Sequence, residues 1–103
     1  MSALISAPSV GLSDQKRQAD MVESVIAQAM RDGAADLTAF EVMTAIERVY
    51  GERLWPGTVS RAVANLVAAG RVLQDKTNRR PSAGSKALSA RLTVPVRQVE
   101  AFY

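Results

Sequence analysis

The chain has 103 residues with neither cysteine nor histidine. That suits one small domain with a modest core, and it excludes a disulfide framework, thiolate attack, a Cys/His zinc site and imidazole acid–base chemistry. No apolar run approaches the ~20 residues that span a bilayer, and residues 1–12 lack the basic start of a signal peptide, so the expectation is a soluble, cytoplasmic protein with no membrane association. The formal net charge is only +3, yet it is unevenly spread: residues 1–52 carry four basic and eight acidic side chains, residues 53–103 nine and two. From Arg53 to Arg97 the only acid is Asp75. Such polarity between halves points to an electrostatic footprint on one side of the molecule.

Residues 1–12 (MSALISAPSVGL) are small, rich in Ser and Ala and broken by Pro8 and Gly11, and read as a mobile tail. The folded domain is expected over residues 13–96. Ser13 is placed to cap a first helix running to about Asp32, with Asp14 near its positive end. Val22, Val25, Ile26, Ala29 and Met30 recur at helical spacing and form its inner face. The methionines Met21 and Met30 are read as core filling. Residues 34–37 form a connector able to pair as a very short strand.

Thr38-Ala39-Phe40-Glu41 matches a capping box, with Leu37 and Val42 placed for a hydrophobic staple across it. The second helix runs to about Tyr50, with Val42, Met43, Ile46, Val49 and Tyr50 inward, and Gly51 closes it. The third follows a short turn, residues 51–54. Pro56 suits its first turn, and Val59, Ala62, Val63, Leu66 and Val67 make its buried stripe before Gly70 stops it. Its outer face presents Thr58, Ser60, Arg61, Asn65 and Ala68, without an acid among them. An ordinary solvated face mixes Glu with Lys; this one suits a polyanion. Trp55 is expected to pack at the start of this helix.

Residues 71–75 (RVLQD) are extended in character, and residues 76–86 (KTNRRPSAGSK) read as an exposed basic loop. Residues 87–96 then alternate, with Leu88, Ala90, Leu92 and Val94 on one face and Ser89, Arg91 and Thr93 on the other, the period of a half-buried strand that Pro95 ends. Residues 97–103 read as a C-terminal tail or short helix, packed back on the first helix or serving a homodimer.

The order of helix, helix, helix, strand, basic loop and strand resembles the winged helix-turn-helix family over residues 13–96. The residues that carry the resemblance are Leu37-Thr38-Ala39-Phe40-Glu41-Val42 opening the second helix, Gly51-Glu52-Arg53-Leu54 as the turn, and residues 58–66 in the third. The run Leu66-Val67-Ala68-Ala69-Gly70-Arg71-Val72 is similar to that family's helix end and following apolar pair. The resemblance implies a mainly α fold with a small β-hairpin: three helices plus a two- or three-stranded antiparallel wing. It further implies double-stranded DNA as partner, most often in transcriptional regulation, with the third helix in the major groove and the wing on backbone or minor groove.

Contact types follow from side-chain chemistry. Arg61 offers a fork to guanine and Asn65, four residues on, a bidentate amide to adenine. Thr58 and Ser60 suit a phosphate or a thymine methyl. Arg79 and Arg80 at the loop tip suit a narrow, A·T-rich minor groove. Lys76, Lys86 and Arg91 are assigned to phosphates, with Arg53 a weaker candidate. No GxGxxG, P-loop or calcium-loop spacing occurs, and the acids Asp32, Asp36, Glu41 and Glu47 are read as caps or solvated groups, so neither enzyme activity nor a cofactor or metal is expected. The leading expectation is therefore a sequence-specific double-stranded DNA-binding protein, a small transcriptional regulator such as one of a phage or other mobile element, associated with the nucleoid when bound. The rival is a winged-helix protein-interaction module in a replication or recombination assembly.

Overall fold

The structure, a computed structural model, describes residues 12–82 and 85–95. Most of the expected N-terminal tail, residues 97–103 and the dimer contact assigned to them lie outside the described residues. Three helices and one hairpin follow in order: α1 (Leu12–Arg31), α2 (Ala39–Tyr50), α3 (Pro56–Ala68), β1 (Leu73–Pro81) and β2 (Leu88–Thr93). The protein is thus mainly α with a small antiparallel β-hairpin. None of the described helices is long and apolar enough to cross a membrane.

The helices pack on one another because each carries a single apolar stripe. Val22, Val25 and Ile26 from α1, Val42, Ala45 and Ile46 from α2, and Val59, Ala62, Val63 and Leu66 from α3 form the core, which Val72, Leu92 and Val94 close from the hairpin side. Met30 and Met43 fill its margin. β2 is the strand that lies against α1 and α2.

Helix ends follow local chemistry. The Thr38 hydroxyl accepts from the Glu41 N–H at 3.3 Å, and the Glu41 carboxylate accepts from the Thr38 N–H at 3.1 Å, so the capping box is complete. Gly51 closes α2 at φ 72°, a left-handed position that costs a side-chain-bearing residue about 1 kcal/mol or more. Past α3, Gly70 stands at φ 74°, its N–H bonded to the Val67 carbonyl and that of Arg71 to the Leu66 carbonyl, the paired bonds of a Schellman stop. α1 begins at Leu12, so Ser13 lies inside the helix rather than ahead of it as a cap.

Several expectations are corrected. Val49 and Tyr50 are 59% and 43% exposed: Val49 borders an open pocket between α1 and α2, and the Tyr50 hydroxyl donates to Ser24 of α1 at 3.3 Å; Ala45 is buried instead. Trp55 is 79% exposed and makes no packing contribution to the core; Leu54, its neighbour, turns inward. Residues 76–81 belong to β1 rather than to a loop, leaving residues 82–87 between the strands. β2 spans Leu88–Thr93, shorter than the expected residues 87–96, and Leu88, paired with the exposed Pro81, is itself exposed. The sheet has two strands, and the connector before α2 adds a single bridge, Leu37 to Leu92, bonded in both directions at 2.9 and 2.7 Å.

The hairpin is not regular. Asp75 pairs with Arg91 and Arg80 with Ser89, so the four residues 76–79 of β1 stand opposite Ala90 alone and are forced out as a wide bulge. This feature is absent from any period-two reading of the segment.

Candidate nucleic-acid interface

The exposed face of α3 is built by the same spacing that buries its other side. With Val59, Ala62, Val63 and Leu66 inward, Ser60, Arg61, Ala64, Asn65 and Ala68 are turned to solvent and Thr58 is half-buried. The first turn of α3 contains no acid and no side-chain cap. Among the described residues, Arg61 and Asn65 make no side-chain hydrogen bond or ion pair.

Beside this face lies a groove of about 240 Å³, with Ser60, Val63 and Ala64 of α3 on one wall and Gln74, Lys76, Ser89, Ala90 and Leu92 of the hairpin on the other. Small side chains, Ser60, Ala64, Ser89 and Ala90, leave it open, and its single charge is the ammonium of Lys76. Of the bulge, Lys76 is the residue that reaches this groove, across from Ser60 and Ala64 of α3.

The bulge is held by the one acid of the basic half. Asp75 Oδ1 accepts the N–H groups of Thr77 and Asn78 at 2.9 and 3.0 Å, and its Oδ2 accepts from the Asn78 side chain at 3.3 Å. These bonds, those from Asn78 and Thr77 foremost, hold the Asp75 carboxyl below the ordinary carboxylate range. Arg79 Nε donates to the Lys76 carbonyl at 3.0 Å, which leaves the outer nitrogens of its guanidinium free to turn outward. Arg91 spans the base of the bulge by donating to the Asn78 carbonyl at 3.5 Å.

Arg80 has a different setting from Arg79. Rather than at a loop tip, it stands in β1 and faces the start of α2. Its Nε donates to Asp36 at 2.6 Å, and its two terminal nitrogens donate to Glu41 at 2.9 and 2.6 Å. Arg91 Nε donates to the other oxygen of Asp36 at 2.8 Å. Asp36 is only 6% exposed. Burial pushes its carboxyl up, but the hydrogen bonds from Arg80 and Arg91 outweigh this and leave it below the ordinary range; Arg80 is raised by its hydrogen bonds to Glu41 foremost and then to Asp36. The reading of Asp36 and Glu41 as solvated or purely capping groups is thereby corrected. Ser82, also buried, sets its hydroxyl 2.7 Å from that of Thr38, so the far end of β1 is fastened to the α2 cap by neutral as well as ionic bonds.

Of the residues singled out from sequence, the described structure brings Ser60 and Lys76 to one groove and leaves Arg61, Asn65, Arg79 and Lys86 exposed. Arg80 and Arg91 are a third exposed and engaged with acids, and Arg53 pairs with Glu47 at 3.3 Å. Two features escaped sequence reasoning: the Asp36–Glu41–Arg80–Arg91 cluster, and Glu23, fully buried on α1 and ion-paired with Arg71 beyond α3. The bulge left one signal, an Asp two and three residues ahead of Thr77 and Asn78, the spacing of an Asx turn.

Away from this face, Phe40 and Trp55 are 55% and 79% exposed and share the rim of a groove of about 430 Å³ with Met43, Thr44, Glu47, Arg53, Leu54 and Pro56. Among the described residues, no group of three or more carboxylates, histidines or cysteines is gathered as a metal site. Comparison with protein-family models, curated proteins and solved structures finds no match to this chain.

Proposed function

We propose that this chain is a winged helix-turn-helix module that binds double-stranded DNA sequence-specifically and acts as a small transcriptional regulator. The observation that carries the reading is the acid-free outer face of α3 lying along one groove with the Lys76 side of the hairpin. A helix of that kind fits a major groove, and cations beside it fit the flanking phosphates. Arg61 and Asn65 are the proposed base readers; Thr58, Ser60, Lys76, Arg79 and Lys86 are the proposed backbone contacts. Arg80 and Arg91 are assigned mainly to holding the hairpin in place, since their charge is already answered by Asp36 and Glu41.

Selection of bound sequences from a random duplex pool tests this reading. An enriched motif is expected, and Arg61→Ala should weaken binding to it by about 1–3 kcal/mol while blurring one base position. An unenriched pool together with an unchanged Arg61→Ala would remove the sequence-reading role.

A second reading, a protein-interaction module, is favoured by one observation: the exposed pair Phe40 and Trp55 on a common groove. Large exposed apolar groups side by side mark protein-binding surfaces more often than DNA-binding ones. Under that reading Trp55→Ala abolishes capture of a partner and leaves duplex binding untouched.

A further inference from the structure

The bulge of residues 76–79 has an internal architecture that the proposed DNA binding does not by itself require. Four residues leave the ladder, and three of the bonds that shape them converge on one carboxylate, Asp75. Two of the four are cations, Lys76 and Arg79, and all four are exposed. The bulge begins at the groove beside α3, which Lys76 lines, whereas the end of the hairpin turns toward the start of α2. An anion in this place is costly for any surface meant to meet phosphates, and it is the only acid between Arg53 and Arg97. Its presence there is explained if its hydrogen bonds matter more than its charge.

We propose that Asp75 is a positioning residue for DNA binding: it folds residues 76–79 into a preformed knuckle that presents Lys76, Thr77, Asn78 and Arg79 to the phosphodiester backbone beside the groove entered by α3. The inference rests on the DNA-binding reading and deepens it by naming the element, rather than the hairpin tip, that grips the backbone. Without Asp75 the four residues must be ordered upon binding, and that entropy is lost from affinity. Thr77 and Asn78 add neutral donors at the backbone, next to the two charges.

The sign of one substitution separates positioning from charge. Removing an anion from a DNA-facing surface should, on electrostatics alone, tighten binding. Asp75→Ala removes charge and acceptor together and is expected to weaken binding of a fluorescein-labelled, mixed-sequence duplex by about fivefold or more, through lost preorganisation. Asp75→Asn keeps the acceptor oxygen, sheds the charge, and should bind at least as tightly as the parent chain. Amide exchange at Thr77 and Asn78 should be slow in the parent and in Asp75→Asn, and fast in Asp75→Ala.

If the parent chain binds and Asp75→Ala binds equally or more tightly, the positioning role is overturned while the DNA-binding reading stands. If the parent chain binds no duplex, the underlying reading itself fails. Should Asp75→Ala not fold, the double variant Lys76→Ala/Arg79→Ala decides: it should keep the parent melting temperature and make the salt slope of duplex binding shallower by about 1–2. An unaltered slope overturns the knuckle as a backbone contact.

Discussion

Asp36 answers two guanidinium groups with one buried carboxylate, and this arrangement fixes where the hairpin sits. Its partners are each about a third exposed, 34% and 37% for the Arg80 and Arg91 side chains, so part of their charge is screened by water. Asp36→Ala is therefore expected to cost about 1–3 kcal/mol, less than the loss of a fully buried pair, measured by urea unfolding. The acid limb of stability has the same origin. The folded-state carboxyls of Asp36 and Asp75 are depressed, so their contribution is complete above the unfolded value of about 4 and is lost as pH falls through the lower folded values. Unfolding free energy should be flat from neutrality to about pH 4 and decline below it, and Asp36→Asn should lessen that decline. None of this was legible in the sequence. Arg80 and Arg91 lie 44 and 55 residues from Asp36, and neither periodicity nor capping chemistry carries information over such separations.

At the scale of elements, α2 shows which signals are local and which are not. Thr38 and Glu41 announce its start because the cap is satisfied within one turn, and Gly51 announces its end because the chain reverses there at positive φ. Thr38 has a further role that only the fold supplies. Its hydroxyl meets that of Ser82, so Thr38→Ala removes the cap and orphans a buried group on the hairpin. A loss of about 1–2 kcal/mol is expected in thermal unfolding, with Thr38→Ser restoring most of it. An unchanged melting temperature in Thr38→Ala would mean that the cap and the hairpin contact contribute nothing. The inward assignment of Val49 and Tyr50 fails for a physical reason: spacing says which side of a helix is apolar, but not how closely a neighbour packs on it, and an open pocket lies between Val49 and α1. Trp55 was misplaced similarly. Its size suggests a core residue, yet the turn directs Leu54 inward and Trp55 out.

For the whole molecule, three amphipathic helices and a hairpin were readable because each has its own periodicity and stop signals. The buried stripe of α3 is nearly the expected set, Val59, Ala62, Val63 and Leu66. The bulge was not readable, since period-two alternation fails over residues 76–79 and a stretch rich in charge and turn formers looks like a loop. The cationic surface is divided accordingly: Arg80 and Arg91 hold the scaffold, while Arg61, Lys76, Arg79 and Lys86 remain available to a partner. Lys16 and Arg17, by contrast, already pair with Asp20 and Glu52 at 2.8 and 2.6 Å on the other half of the chain.

The proposal that these available cations, Arg61 and Lys76 at α3 with Arg79 and Lys86 on the hairpin, receive duplex DNA is measured most directly by the salt dependence of binding. Fluorescence anisotropy of a labelled duplex, titrated with the full chain over a series of potassium chloride concentrations, should give log K falling linearly with log salt at a slope of about −3 to −4, as expected for three or four phosphates neutralised. A slope indistinguishable from zero, or no saturable binding at low salt, would contradict the claim and leave the exposed Phe40–Trp55 surface as the functional face.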